Sequence, residues 1–172
     1  MNKTYNSVKS WVFDKHNQIA FLTSFVGGLV IHLYFFVNLL PNADCILATP
    51  YHQPGMWELS IGRWVLPAAE QINSRYSLPW ITGVWCMFWL SLSCVIITRM
   101  FKITNNAIII IYSISFVSFP SLTATFAYLF TADIYMMGIF FSILSVYLAQ
   151  KQNFVFLLIG SIILALSMGI YQ

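Results

Sequence analysis

The sequence predicts an all-α fold, a polytopic membrane helix bundle, on three observations. Hydrophobic residues make up 59% of the 172 residues and charged ones only 8%, and a soluble domain of this size could not hide so much apolar surface behind so few charges. Five runs, 19–40, 80–98, 107–130, 134–150 and 154–171, approach the roughly 20 apolar residues that a helix needs to cross a bilayer core. The basic residues between those runs are sorted by side, as the positive-inside bias of membrane proteins requires.

The first run is longer than the apolar region of a cleaved leader, and no small-residue cleavage pattern follows in 42–48, so it is expected to be retained. It contains Gly27-Gly28, which suits close helix contact. It also holds His32, the one histidine inside a run, read as a hydrogen-bonded packing residue in preference to a proton relay. The second run carries Cys86 and Cys94. Pro120 is expected to kink the third and open a groove where a lipid chain lies. Gly138 in the fourth again suits close packing. The phenylalanines are read as lipid-facing or packed within the bundle. Cys45 stands alone in the loop after run one, so neither a disulfide framework nor a metal-ligand spacing is present.

Lys3, Lys9 and Lys15 precede the first run, Arg99 and Lys102 separate the second and third, and Lys151 separates the fourth and fifth. With the N-terminus inside, all six lie on the cytoplasmic side. Arg63 and Arg75 are then outside, together with Asp44, Glu58, Glu70 and Asp133, four of the five acidic residues. The net charge of +3 is thereby explained as topology and gives no reason to propose nucleic-acid binding.

The outer segment 41–79 is too long for a simple connection. After Pro54-Gly55, the residues Trp57, Ile61, Trp64, Val65, Ala68 and Ile72 recur at helical spacing and predict an amphipathic interfacial helix over about 56–72. Glu58, Arg63, Glu70 and Gln71 fall off its apolar stripe, and Pro67 is expected to kink or shorten it. No internal repeat, low-complexity linker or glycine-rich phosphate loop appears, and the chain reads as one membrane domain, 1–172.

An acidic residue soon after the first run, then Glu58-Leu59-Ser60-Ile61-Gly62-Arg63-Trp64, Thr131-Ala132-Asp133-Ile134-Tyr135 and Ser167-Met168-Gly169-Ile170-Tyr171-Gln172, form a pattern that resembles the membrane glucosyltransferases of bacterial serotype-converting cassettes, which act on lipopolysaccharide O-antigen. The resemblance spans most of the chain. It implies a C-type glycosyltransferase architecture in the bacterial inner membrane, with a carboxylate of the first outer loop at the active site. It also implies a polyprenyl-phosphate-linked glucose donor and an O-antigen acceptor on the periplasmic side. Family members are longer, so the chain is expected to be the N-terminal part of such a transferase and inactive alone. By position Asp44 matches the first-loop carboxylate, while Glu58, Arg63 and Asp133 sit in the other motifs.

The chemistry is consistent with those residue types. A carboxylate within reach of the attacking sugar hydroxyl takes its proton, and Asp44 is the candidate base. Glu58 and Asp133 are the further catalytic candidates, Asp133 as a group that orients the acceptor. The phosphate leaving group departs without a second acid and is stabilised by planar guanidinium donors, supplied by Arg63 with Arg75 in reserve. Trp64 is a further substrate-binding candidate on the interfacial helix. Each residue has a plainer alternative. Asp44 solvates the end of run one, Glu58 flanks a helix or pairs with a base, Arg63 snorkels to lipid phosphate, and Asp133 caps the fourth run. No organic cofactor is implied, although an acidic cluster recruits divalent ions without a recognisable motif. A non-enzymatic membrane protein, such as a lipid-linked sugar translocase or an assembly factor, is the alternative class. Such a translocase would line its path with polar groups at mid-membrane, and apart from His32 the runs hold few.

Overall fold

The structure, a computed structural model, describes residues 10–171 apart from 41, 49 and 74. Lys3, Lys9 and Gln172, used above, lie outside the described residues. The fold is all-helical: α1 (Lys15–Ile31), α2 (Leu33–Val37), α3 (Ala43–Ala48), α4 (Met56–Ser60), α5 (Leu66–Ala69) running into a 3₁₀ turn (Glu70–Asn73), α6 (Pro79–Met100), α7 (Asn106–Val117), α8 (Pro120–Phe126), α9 (Ala132–Ala149) and α10 (Phe154–Met168). Helix starts follow their caps. Asp14, Asn105 and Asn153 each accept from free backbone N–H groups one turn in, and Pro79 and Pro120 occupy first-turn positions where no N–H is needed.

Helices α6 and α9 are long and apolar enough to cross a membrane, and α7 with α8, bent by 42°, makes a third span if taken together. The described residues thus support two to three spans where the runs suggested five. The first run fails because α1 stops at Ile31 and α2 restarts beyond His32, and the last because α10 has only 15 residues. The breaks in the first and third runs are related. Pro120 cannot continue α7, which leaves the Val117 carbonyl without its in-helix donor. His32 Nε2 lies 2.8 Å from that oxygen and donates to it, while its ring meets Phe126 edge-on.

Helix α6 is the axis of the bundle, with α1 on one flank and α9 on the other, and α10 packed on α9. Cys86, Met87 and Leu90 of α6 pack with Phe36, Val117, Phe126 and Met136 in the main core. Gly83 lets the Phe36 ring lie directly on the α6 backbone, since a Cβ there would strike the ring. At the other end Arg99 joins α6 to the start of α1, with Nε donating to Asn17 Oδ1 at 2.8 Å and Nη2 at 3.5 Å from Asp14.

The loop 41–79 is not one helix. Gly62 sits at φ 88° after α4, a left-handed conformation that ends it, and Pro67 starts α5 afresh. The expected apolar stripe is correspondingly divided between separate segments, with Trp57 71% and Trp64 54% exposed, while Glu70, expected on the polar side, is 0% exposed. The loop is tied down by Leu66 and Ala69, which pack on Ile134, Met137 and Ile170. Polar ties add to this. His52 Nδ1 lies 2.9 Å from both Glu70 oxygens, Asn73 Nδ2 donates to Asp133 Oδ2 at 2.8 Å, and the Val65 N–H donates to Gly169 O at 2.8 Å.

Two stability measurements follow. Gly83→Ala is expected to destabilise the protein by about 1–3 kcal/mol through overpacking, against the gain in helix propensity, and pairing it with Phe36→Leu should restore much of the loss in detergent melting temperature. Burial holds the Glu70 carboxyl above its ordinary value of 4.5, with the His52 hydrogen bond pulling the other way. A group raised in the folded state contributes stability that is complete below its unfolded value and lost as pH rises through the raised one. The Tm advantage of the wild type over Glu70→Gln should therefore shrink as pH rises above 4.5, and an advantage that grows with pH would contradict this.

Candidate active site

The loop, α8, α9 and the end of α10 enclose a cleft of about 1220 Å³. Its mouth carries Asp44, in the first turn of α3, and Glu58, in the first turn of α4. Glu58 is held by its own turn, where Oε2 accepts the Gly55 N–H at 2.6 Å, and its Oε1 lies 3.9 Å from His52 Nε2. Asp44 is exposed and open to the cleft.

Arg63 forms part of the same wall. Its backbone N–H donates to Glu58 O at 2.8 Å, so the turn that presents the carboxylate also presents the guanidinium. Nη1 donates to the Tyr135 hydroxyl at 3.3 Å, and the guanidinium lies 4.7 Å from the Tyr171 ring centroid. No ion pair among the described residues includes Arg63, and its buried Nε has no hydrogen-bond partner there. A cation stacked on an aromatic face and bonded only to neutral groups keeps its charge available for an anion.

The remaining sequence candidates lie elsewhere. Asp133 is 0% exposed and does not line the cleft, being bonded to Asn73 and to the Ile134 N–H at 3.0 Å. Arg75 also lies off the cleft, at φ 63°, with Nη2 donating to Pro67 O at 3.2 Å. Trp64 packs against Gly169, where a Cβ would meet its indole. The structure therefore brings Asp44, Glu58 and Arg63 together and sets Asp133, Arg75 and Trp64 behind or beside them.

The cleft also holds groups that the sequence reading passed over. His52, Tyr135 and Tyr171 line it. Tyr135 and Tyr171 stand within the quoted motifs, and His52 is the one histidine of the outer segment, between Asp44 and Glu58. Those positions were the available signal. At depth, Ser142 donates to Ser167 at 2.7 Å and Ser167 to the Gly138 carbonyl at 2.7 Å. These hydroxyls are thus satisfied among themselves. Among the described residues no group of three or more His, Cys, Asp or Glu side chains is placed to hold a metal ion.

No curated protein and no solved structure matches the chain. Residues 33–172, which include every residue of the cleft named above, match the model of the family described as glucosyl transferase GtrII, and the chain belongs to that family.

Proposed function

We propose that the protein transfers glucose from a polyprenyl-phosphate-linked donor to a sugar of lipopolysaccharide O-antigen, at the periplasmic face of the bacterial inner membrane, with its N-terminus in the cytoplasm. Family membership supports glucosyl transfer, and the apolar helices support a membrane setting for a lipid-linked donor. The observation that carries the reading is that two carboxylates, Asp44 and Glu58, and an arginine free of any carboxylate partner among the described residues line one cleft.

In this reading the donor phosphate lies against Arg63, steadied by Tyr135 and Tyr171. The acceptor hydroxyl oxygen attacks the anomeric carbon as its proton passes to Asp44. The bond between that carbon and the phosphate oxygen breaks, and its electron pair leaves with the polyprenyl phosphate, where Arg63 stabilises the growing charge. Glu58 serves as an acceptor-side carboxylate beside the base. Asp133 acts through Asn73, fixing the turn that follows α5, and so is a positioning residue. Arg75 holds the same turn through Pro67, and Trp64 seats it against Gly169.

Asp44→Asn is expected to lower glucosylation of O-antigen about a hundredfold or more, the usual contribution of a general base, while the protein still inserts in the membrane. Arg63→Ala should raise the KM for the lipid donor and lower kcat together. The assay is transfer of labelled glucose from polyprenyl-phosphate glucose to O-polysaccharide by membranes carrying each variant. Near-normal transfer by Asp44→Asn would remove the base assignment, and unchanged donor kinetics in Arg63→Ala would remove the phosphate assignment.

A further inference from the structure

The cleft wall contains a second constellation, of which this reaction scheme uses only Glu58. Glu70 is fully buried, and both of its oxygens lie 2.9 Å from His52 Nδ1. A carboxylate accepts, so Nδ1 donates to it, and in the neutral ring the other nitrogen presents its lone pair. The His52 ring is also packed against Phe130 at 4.6 Å between centroids. Its orientation is therefore fixed from behind and from one face. Nε2 is directed to the side of the cleft where Glu58 Oε1 lies 3.9 Å away. Two hydrogen-bond acceptors at that separation receive the protons of two adjacent hydroxyls of one ring. Trp57, one residue before Glu58, also lines the cleft and is 71% exposed, leaving its indole free to cover the apolar face of a pyranose.

We propose that His52 Nε2, Glu58 and Trp57 form a binding corner for a hexose of the acceptor, with Glu70 as the positioning residue that sets the histidine. The proposal rests on reading the cleft as the site of glucosyl transfer and adds to it the residues that grip the acceptor. The ligand class is a neutral sugar with adjacent hydroxyls. Hydroxyl protons point at the two acceptors, and the carbon–hydrogen face lies on the indole. Phosphate is disfavoured at this corner because the Glu58 carboxylate repels it, whereas Arg63 attracts it. The two substrates are thereby sorted along one wall.

The test uses His52→Asn. The asparagine amide nitrogen replaces Nδ1, so the Glu70 bond and the loop are kept, but nothing replaces Nε2. The intact chain in lipid nanodiscs is mixed with O-polysaccharide released from the source cell's lipopolysaccharide, and binding is followed by saturation-transfer NMR of the sugar protons. Wild type and Arg63→Ala are expected to give the sugar signal, while His52→Asn and Trp57→Ala are expected to lose most of it. In the transfer assay, His52→Asn should raise the KM for O-polysaccharide about five- to tenfold, the usual effect of losing one hydrogen bond, with the KM for the lipid donor unchanged.

Absence of a sugar signal from the wild type, or a signal from His52→Asn equal to wild type, overturns the binding corner. So does a fall in kcat with unchanged acceptor KM, which would mark His52 as structural support. If the wild type transfers no glucose from the lipid donor while the binding pattern is as expected, the transferase reading of the cleft fails and the sugar-binding corner stands.

Discussion

Two carboxylates with no exposure to solvent, Glu70 and Asp133, fix the arrangement at the loop end of the bundle. An unpaired carboxylate in an apolar interior is costly, and each of these is retained because a partner reaches it. Glu70 takes His52 from the start of the loop, and Asp133, at the head of α9, takes Asn73 from the end of the 3₁₀ turn. The loop thus crosses over itself and over α9 at defined points. Further backbone bonds, from Ser77 N–H to Pro50 O and from His52 N–H to Arg75 O, both at 2.9 Å, close its two ends together. Between those clamps the turn from α4 to α5 is held with Glu58 and Arg63 facing the cleft.

The helices provide the other wall by failing to be straight. Helix α7 gives way to α8 at Phe119-Pro120, and the first run gives way at His32, which fills the hydrogen-bond vacancy left at Val117. Had both runs been continuous, their side chains would have packed along the full length of α6. With the bend, α8 turns across the end of the bundle, and Thr125 and Tyr128 reach the cleft. The cost of two helix breaks is offset by one buried hydrogen bond and by the edge contacts of Phe126 with His32 and Phe36. The packing around Gly83 and Phe36 then sets how closely α2 and α6 approach.

The sequence was most legible where the physics is local and additive. Helices α6 and α9 lie almost where the apolar runs place them, because length and hydropathy decide such segments. The family motifs led to Asp44, Glu58 and Arg63, which share the cleft. The loop was least legible. Periodicity over 56–72 counted Trp57, Ile61, Trp64 and Val65 as one stripe, but a single left-handed glycine rotates everything beyond it, and Pro67 resets the helix. Glu70 went inward because of His52, 18 residues earlier, a pairing that no window of one helix contains. The same applies to Asp133, whose partner is 60 residues away.

The electrostatics of the cleft follow from how its cation is spent. Arg63 is the one lysine or arginine lining the cleft among the described residues, and two carboxylates line the same cleft. If Arg63 were paired to either acid, the wall would be neutral there and anionic elsewhere, and a phosphate would find no site. Tyr135 and Tyr171 prevent this by holding the guanidinium with a hydroxyl and a ring face, neither of which cancels its charge. Glu58 is meanwhile restrained by Gly55 and faces His52, so it has less freedom to swing toward the arginine. The result is a cleft with separate anionic and cationic groups, built from Asp44, one seven-residue motif and the aromatic residues that hold Arg63. Such a wall fits a reaction that brings a charged phosphate and a neutral sugar together, because repulsion keeps the phosphate away from the carboxylates and leaves them free to take up a hydroxyl proton.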